Sequence, residues 1–440
     1  MADRIKRLCE WCFWLMLLIS PFIDFINGVF TYIQAGGQGI RDMLSTLDLT
    51  DEGGLSPSLI IRMLFLALML VYLFACRHKR AIIMFACIGF SWLLTVGFEF
   101  IRGAEFSLSA DISYIVRFCY CLMCLVVGEH VIRSGKGRFD LRERVDKFLC
   151  VAALTAALGI MIPFIFEIGF YTYADPMGYR GSRGFYYAGN DITVVIMLIL
   201  PLMLSSWMEQ KGKPGLWNYL QLASCAFSVV ALLVIGTKTA FIAVAIIAFV
   251  ALVYAFAEGV KNKNWHPMLR LLLAVAATIL VYFLFSAGAT VSQSLKTARK
   301  YAKEREPGES LLSGRTTYLI MAWHDVQEAM PFSLVAGVGR GSQEHIIEMD
   351  LCEVVLYYGV LGTVTMLWLY LKHGLKVIKD LFKSFSLRNL ACCTALGLCA
   401  GFLVLAGHVL FSVTAGFYFA FMLVYTRMAC SKEGLDAKII

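Results

Sequence analysis

The chain carries a succession of apolar runs, each of about 20 residues. No other feature limits the fold as much. Inside a bilayer every backbone N–H and C=O must be satisfied by the protein itself, so a spanning chain is either helical or a closed β-barrel. Barrel strands read as alternating segments of about 10 residues. The runs here are continuous, which predicts an all-α polytopic membrane protein. Composition agrees: 16% of residues are charged and 59% hydrophobic, against about 25% charged in a soluble domain.

About twelve transmembrane helices are expected, starting near Leu8, Leu59, Ala81, Ile112, Phe148, Ile192, Leu216, Thr239, Met268, Leu351, Leu390 and Gly407. The short break before the last one holds His408, read as a hydrogen-bonded packing residue. Lys and Arg set the orientation. With the N-terminus inside, most of the 39 Lys and Arg residues fall in inner loops, while the first outer loop carries Asp42, Asp48, Asp51 and Glu52 against Arg41. Both termini are then cytoplasmic, and the first run is a retained anchor. This arrangement accounts for the net charge of +8 without calling on nucleic acid. Cys9-x-x-Cys12 and the Cys119, Cys121, Cys124 group lack a second ligand pair at zinc-site spacing and are read as packing residues. Asp24, Arg62, Glu99, Arg117 and Glu167 are read as paired structural charges in the bundle.

The polar interruption at 290–350 divides the chain into helices 1–9 (1–289), a large, partly helical extracytoplasmic loop between helices 9 and 10 (290–350), and helices 10–12 with a cytoplasmic tail (351–440). Loops of this length are usually functional. Leu295–Glu306 is helix-prone and charged, Pro307-Gly308 breaks it, and a second helix is expected behind the cap residue Ser313. Arg315 falls in the first turn of that helix, where a positive charge opposes the macrodipole unless an anion is bound. The glycine turn AGVGRG follows with Arg340, then His345, Glu348 and Asp350. Two further outer turns carry cations. YADPMGYRGSRGFYYAGND presents Arg180 and Arg183 before Asn190, and IGTKTAF places Lys238 nearly alone in apolar sequence. Arginine suits phosphate recognition, and an ionisable residue at membrane depth is a functional candidate. The inner loops are short and contain no Walker or dinucleotide glycine pattern. The energy for any reaction must therefore arrive in the substrate.

On these residues the chain resembles the O-antigen ligase and polymerase superfamily of bacterial surface-polysaccharide enzymes. The matching pieces are the Arg180–Asn190 loop, Thr237-Lys238-Thr239, Gly314-Arg315 ahead of Trp323, the Gly337–Gly339 turn and LYYGVLG at the closing helix. One departure stands out. Many members carry His eleven residues before the closing Gly359, where this chain has Glu348, followed by Asp350.

The resemblance implies a GT-C-like, metal-independent, inverting glycosyltransferase of the bacterial cytoplasmic (inner) membrane, with no cofactor. Its donor would be a polyprenyl-pyrophosphate-linked glycan and its acceptor a second glycan, with flippase and chain-length regulator proteins as possible partners in the bilayer. Developing charge on the pyrophosphate would be met by Arg180, Arg183, Lys238 and Arg315. Glu348 would be the general base, with His345 one turn away as its alternative. Asp350 would position Glu348, and Arg340, His345 and Asn190 would contact substrate. The acidic departure favours a polymerase over a ligase. A transporter of lipid-linked sugars is the rival reading, but its longest loop would be expected mid-chain on the inner side.

Overall fold

The computed structural model describes residues 2–34, 57–134, 141–173, 180–210, 215–285, 287–288, 290–296, 315–381, 386–407 and 409–430. The first outer loop, most of the expected Leu295–Glu306 helix, Pro307-Gly308, Ser313, Gly314, His408 and the C-terminal tail lie outside these residues. The chain is almost wholly helical: α1 (Ala2–Gln34), α2 (Pro57–Ala75), α3 (Lys79–Arg102), α4 (Leu108–Ser134), α5 (Leu141–Ile165), α6 (Gly189–Glu209), α7 (Leu216–Ile235), α8 (Lys238–Asn262) and α9 (His266–Leu284). After the loop come α10 (Arg315–Glu328), α11 (Phe332–Ala336), a 3₁₀ turn (Arg340–Ser342), α12 (Asp350–Leu381), α13 (Leu387–Leu405) and α14 (Val413–Cys430). Among the described residues, eleven helices are long and apolar enough to cross a membrane. They are α1–α9, α12 and α13, at the places the apolar runs predict. The expected twelfth is α14, whose side chains from Phe417 to Tyr425 are buried. It packs on α4, α6 and α12 at the centre of the bundle.

Helix ends follow local chemistry. α7 stops at Gly236 in the left-handed region, and α8 starts where the Thr237 hydroxyl accepts the Ala240 N–H at 3.2 Å. Among the described residues one small sheet interrupts the all-α pattern. Strands β1 (Phe170–Tyr173) and β2 (Arg180–Gly184) pair antiparallel between α5 and α6. Gly181 lies so close to the Ile235 carbonyl that a Cβ would sit 2.2 Å from its oxygen. The hairpin is thereby seated on the end of α7.

Charges gather in two layers at opposite ends of the bundle. In one layer Arg388 is buried against the Asp146 carboxylate, the Tyr425 hydroxyl (2.8 Å) and the Leu202 carbonyl (3.1 Å). There too Glu129 accepts from Arg427 at 2.8 Å and also pairs with Arg133. At the other end, Arg62 of α2 pairs with Asp24 of α1, and Glu99 with Arg102. Arg117 and Glu167 stand exposed, and the pairing expected of them is not seen among the described residues.

The loop after α9 does not simply cover the bundle. Its segment from α11 to the 3₁₀ turn is tucked between α3 and α12. α12 breaks at Gly359, whose φ of 61° and ψ of −166° are non-helical. The break frees the carbonyls of Leu356 and Tyr357, which accept the N–H groups of Val338 (3.1 Å) and Gly339 (2.8 Å). The GVG turn and the YYGVLG helix are thus two halves of one backbone junction. Asp111 of α4 secures its far side by accepting the N–H of Arg340 at 2.7 Å and of Gly341 at 3.3 Å.

Removing the partner of a buried arginine leaves an uncompensated charge. Asp146→Ala is expected to destabilise the protein by about 3–5 kcal/mol, read as a lower melting temperature in detergent. Asp146→Asn, which keeps an acceptor for Arg388, should lose less.

Candidate active site

Arg315 opens α10, and Glu348 lies two residues ahead of α12. Two N–H groups of the guanidinium converge on one carboxylate oxygen, Nη2 at 2.7 Å and Nε at 3.1 Å from Oε2. The arginine side chain is 15% exposed and the glutamate 42%, so the carboxylate can be reached from solvent. Glu348 has φ of +59°, a left-handed conformation that disfavours residues bearing a Cβ by roughly 1–2 kcal/mol. Strain of this kind in a non-glycine residue gathers at functional sites.

The backbone around Glu348 is held from two sides. Glu353, in the first turn of α12, accepts the Glu348 N–H at 2.7 Å, and the Tyr114 hydroxyl of α4 donates to its other oxygen. Asp350 is buried and accepts the N–H groups of Val409 and Leu410, each at 2.7 Å. Its carboxylate therefore faces the α13–α14 connection. Within that connection Gly407 (φ +62°) leaves no room for a side chain, because a Cβ would stand 2.5 Å from the Glu348 carbonyl carbon.

The same connection reaches further. The Ser412 hydroxyl donates to Asp191, beside Asn190 in the first turn of α6. Thr414 donates to Asp24 and accepts from Arg62. The five residue-to-residue steps from Gly407 to Ser412 span at most about 18 Å. That limit puts the Glu348 corner and the Asn190–Asp191 corner at one end of the bundle.

The other expected cations form a second group. Arg183 on β2 packs over the rings of Phe170 (5.6 Å) and Tyr187 (5.9 Å), and its Nε has no hydrogen-bond partner among the described residues. Burial lowers the pKa of this guanidinium from its ordinary value, and the nearby Tyr187 phenol works the other way. The backbone of Arg180 lies on β2; its side chain is outside the described parts. Lys238 is the first residue of α8, two positions after Gly236, where a Cβ would stand 2.6 Å from Ser294 Oγ. Packing of Gly181 on Ile235 thus brings β2 and the Lys238 turn together. A hollow of about 260 Å³ is lined by Tyr282, Gly288, Val291, Ser292, Leu295 and Lys296, from the stretch that carries Ser294. It is not at the Arg315–Glu348 pair.

The remaining expected contacts are placed as follows. The Arg340 guanidinium donates to the Gln343 carbonyl within its own turn. His345 is exposed, with its ring 4.8 Å from that of Tyr318. On α10, ligand atoms of His324, Asp325 and Glu328 lie within 4.8 Å of one another. These groups have partners in the protein: His324 faces Glu328 at 3.4 Å, and Asp325 accepts from Gln343 at 2.8 Å. The described cysteines are free thiols.

The sequence reading missed Glu353, Tyr114, Asp111 and the 407–414 connection. Glu353 carried a signal, being a carboxylate inside an apolar run. The connection was marked by a glycine, a serine, a threonine and His408, which the sequence reading took for a packing residue.

The fold and this cluster define a multi-pass helical membrane protein with a charged site at one end of its bundle. Over residues 14–296 and 288–432 the chain matches the family model described as O-antigen ligase like membrane protein, and it belongs to that family. Comparison with curated proteins gave no match.

Gly407→Ala is expected to destabilise the protein and displace Glu348, since it introduces both a disfavoured φ and a collision. Thermal unfolding should show a lower midpoint, while Gly397→Ala, whose Cβ would meet nothing within 4 Å, serves as the neutral control.

Proposed function

We propose that the protein is a glycosyltransferase acting on the outer face of the bacterial cytoplasmic membrane, with both termini inside. It would polymerise polyprenyl-pyrophosphate-linked oligosaccharide units into a surface polysaccharide. Family membership supports a glycan-transferring membrane enzyme. The observation that carries the site is the Arg315–Glu348 pair, in which a half-exposed carboxylate is gripped by a cation at a helix start.

In this reading the acceptor hydroxyl approaches Glu348 from its exposed side. Its oxygen bonds to the anomeric carbon of the donor as the bond from that carbon to the pyrophosphate oxygen breaks. The hydroxyl proton passes to Glu348, and the pyrophosphate leaves as an anion. A guanidinium carries five N–H donors, of which Glu348 takes two, so Arg315 retains donors for a phosphate oxygen. Lys238 at the start of α8 adds charge where a helix N-terminus already favours anions. Arg183 presents a buried N–H without a partner among the described residues, and Arg180 shares its strand. Preorganised cations in a site of low dielectric stabilise a developing charge most effectively. Arg340, His345 and Asn190 are assigned to sugar or phosphate contact, and Asp350 to the support beneath Glu348. Chemistry by direct displacement would invert the anomeric centre and use no metal.

A ligase would differ only in its acceptor, a lipid core or a protein in place of a second lipid-linked glycan. The Glu at position 348, where many members carry His, favours the polymerase.

Purified protein incubated with lipid-linked glycans extracted from producing cells is expected to give a ladder of lengthened products on a gel. A single transferred unit would mean a ligase, and unchanged material would favour a transporter. Arg315→Ala and Lys238→Ala should each abolish the ladder while the protein stays folded. Glu348→Gln should lose activity at every pH; an active Glu348→Gln would remove Glu348 from the base role.

A further inference from the structure

Glu353 does more at its position than open a helix. Its Oε1 accepts the N–H of Glu348 at 2.7 Å, while its own N–H donates to the Met349 carbonyl at 2.9 Å. Main chain and side chain therefore close a ring around residues 348–353. The second oxygen is held from outside that ring by the Tyr114 hydroxyl of α4. Tyr114 is in turn fixed, since its ring stacks on Phe411 with centroids 4.0 Å apart and planes 18° apart. Glu353, Tyr114 and Phe411 are all buried.

Glu348 is the one residue of this ring with a left-handed backbone. Its N–H is turned to a buried carboxylate, and its side chain is turned to Arg315 on a different helix. Glu353 shares no hydrogen bond with Arg315; its link to the ion pair runs through the backbone of Glu348.

We infer that Glu353 and Tyr114 are positioning residues that fix the direction of the Glu348 carboxylate, an inference that rests on the base role proposed for Glu348. A reacting group misplaced by about 1 Å costs on the order of 100-fold in rate. Loss of the clamp therefore lowers turnover more than it lowers substrate affinity.

The test uses full-length protein with lipid-linked glycans extracted from producing cells. Tyr114→Phe keeps the ring on Phe411 and deletes only the hydroxyl. It is expected to lower kcat about tenfold, with KM for the glycan within about twofold of the parent and an unchanged elution profile. Glu353→Gln keeps a carbonyl oxygen for the Glu348 N–H and should retain much more turnover than Glu353→Leu. In a Glu348→Gln background, Tyr114→Phe should add no further loss, because the group it positions is already gone. Parental kcat in Tyr114→Phe, a change confined to KM, or losses that multiply in the double variant would each overturn the inference. Glu348→Gln alone separates the two levels. If it is inactive while Tyr114→Phe is fully active, only the clamp fails; if it is itself fully active, the base role fails and takes the clamp with it.

Discussion

The pairing of Val338 and Gly339 with the carbonyls of Leu356 and Tyr357 is the interaction on which the working end of this molecule depends. A helix in lipid cannot be interrupted without a replacement partner for each backbone group set loose. α12 is interrupted, and the replacement comes from a loop. Once the loop is committed to that junction, Arg340 and Gly341 are drawn to Asp111, α10 is held over the bundle end, and Arg315 comes within reach of Glu348. The described stretch from α11 to the 3₁₀ turn is therefore a structural part of the helix bundle, and Arg315 and Glu348 lie on either side of it.

The same logic recurs on a smaller scale. Asp111, Glu353 and Asp350 are buried carboxylates, and each accepts backbone N–H groups from an irregular segment. A carboxylate buried in this way is satisfied by groups that the helices cannot serve themselves. Three irregular segments, the Arg340 turn, the Glu348 corner and the Val409–Leu410 turn, are each fixed by one acid. Asp350, read from the sequence as a partner of the glutamate side chain, belongs to this set and holds the floor beneath it.

Much of the fold was legible because hydrophobic runs report the bilayer directly, and eleven of the spans lie where those runs do. Arg315 stood out in the sequence because a cation at a helix start conflicts with the macrodipole, and Lys238 because it is nearly alone in apolar sequence; both signals are visible in one dimension. The grip of Glu353 on Glu348 was not legible, since a glutamate in the first turn of a helix is ordinary. Only the left-handed φ of Glu348 and the reach of Tyr114 across 239 positions give it meaning. The β1–β2 hairpin was missed for a similar reason. Its arginines and glycines read as a loop, and the pairing is stabilised by the seat on α7 rather than by strand propensity.

The ion pair of Arg62 and Asp24 is finished by a hydroxyl from Thr414, 390 positions beyond Asp24. The two charges lie on the first two helices and neutralise each other there without help from later helices. Their last hydrogen bonds are supplied by α14, so they cannot form before that helix is in place. The first two helices thus offer the last one a polar docking point, which ties the two ends of the fold together.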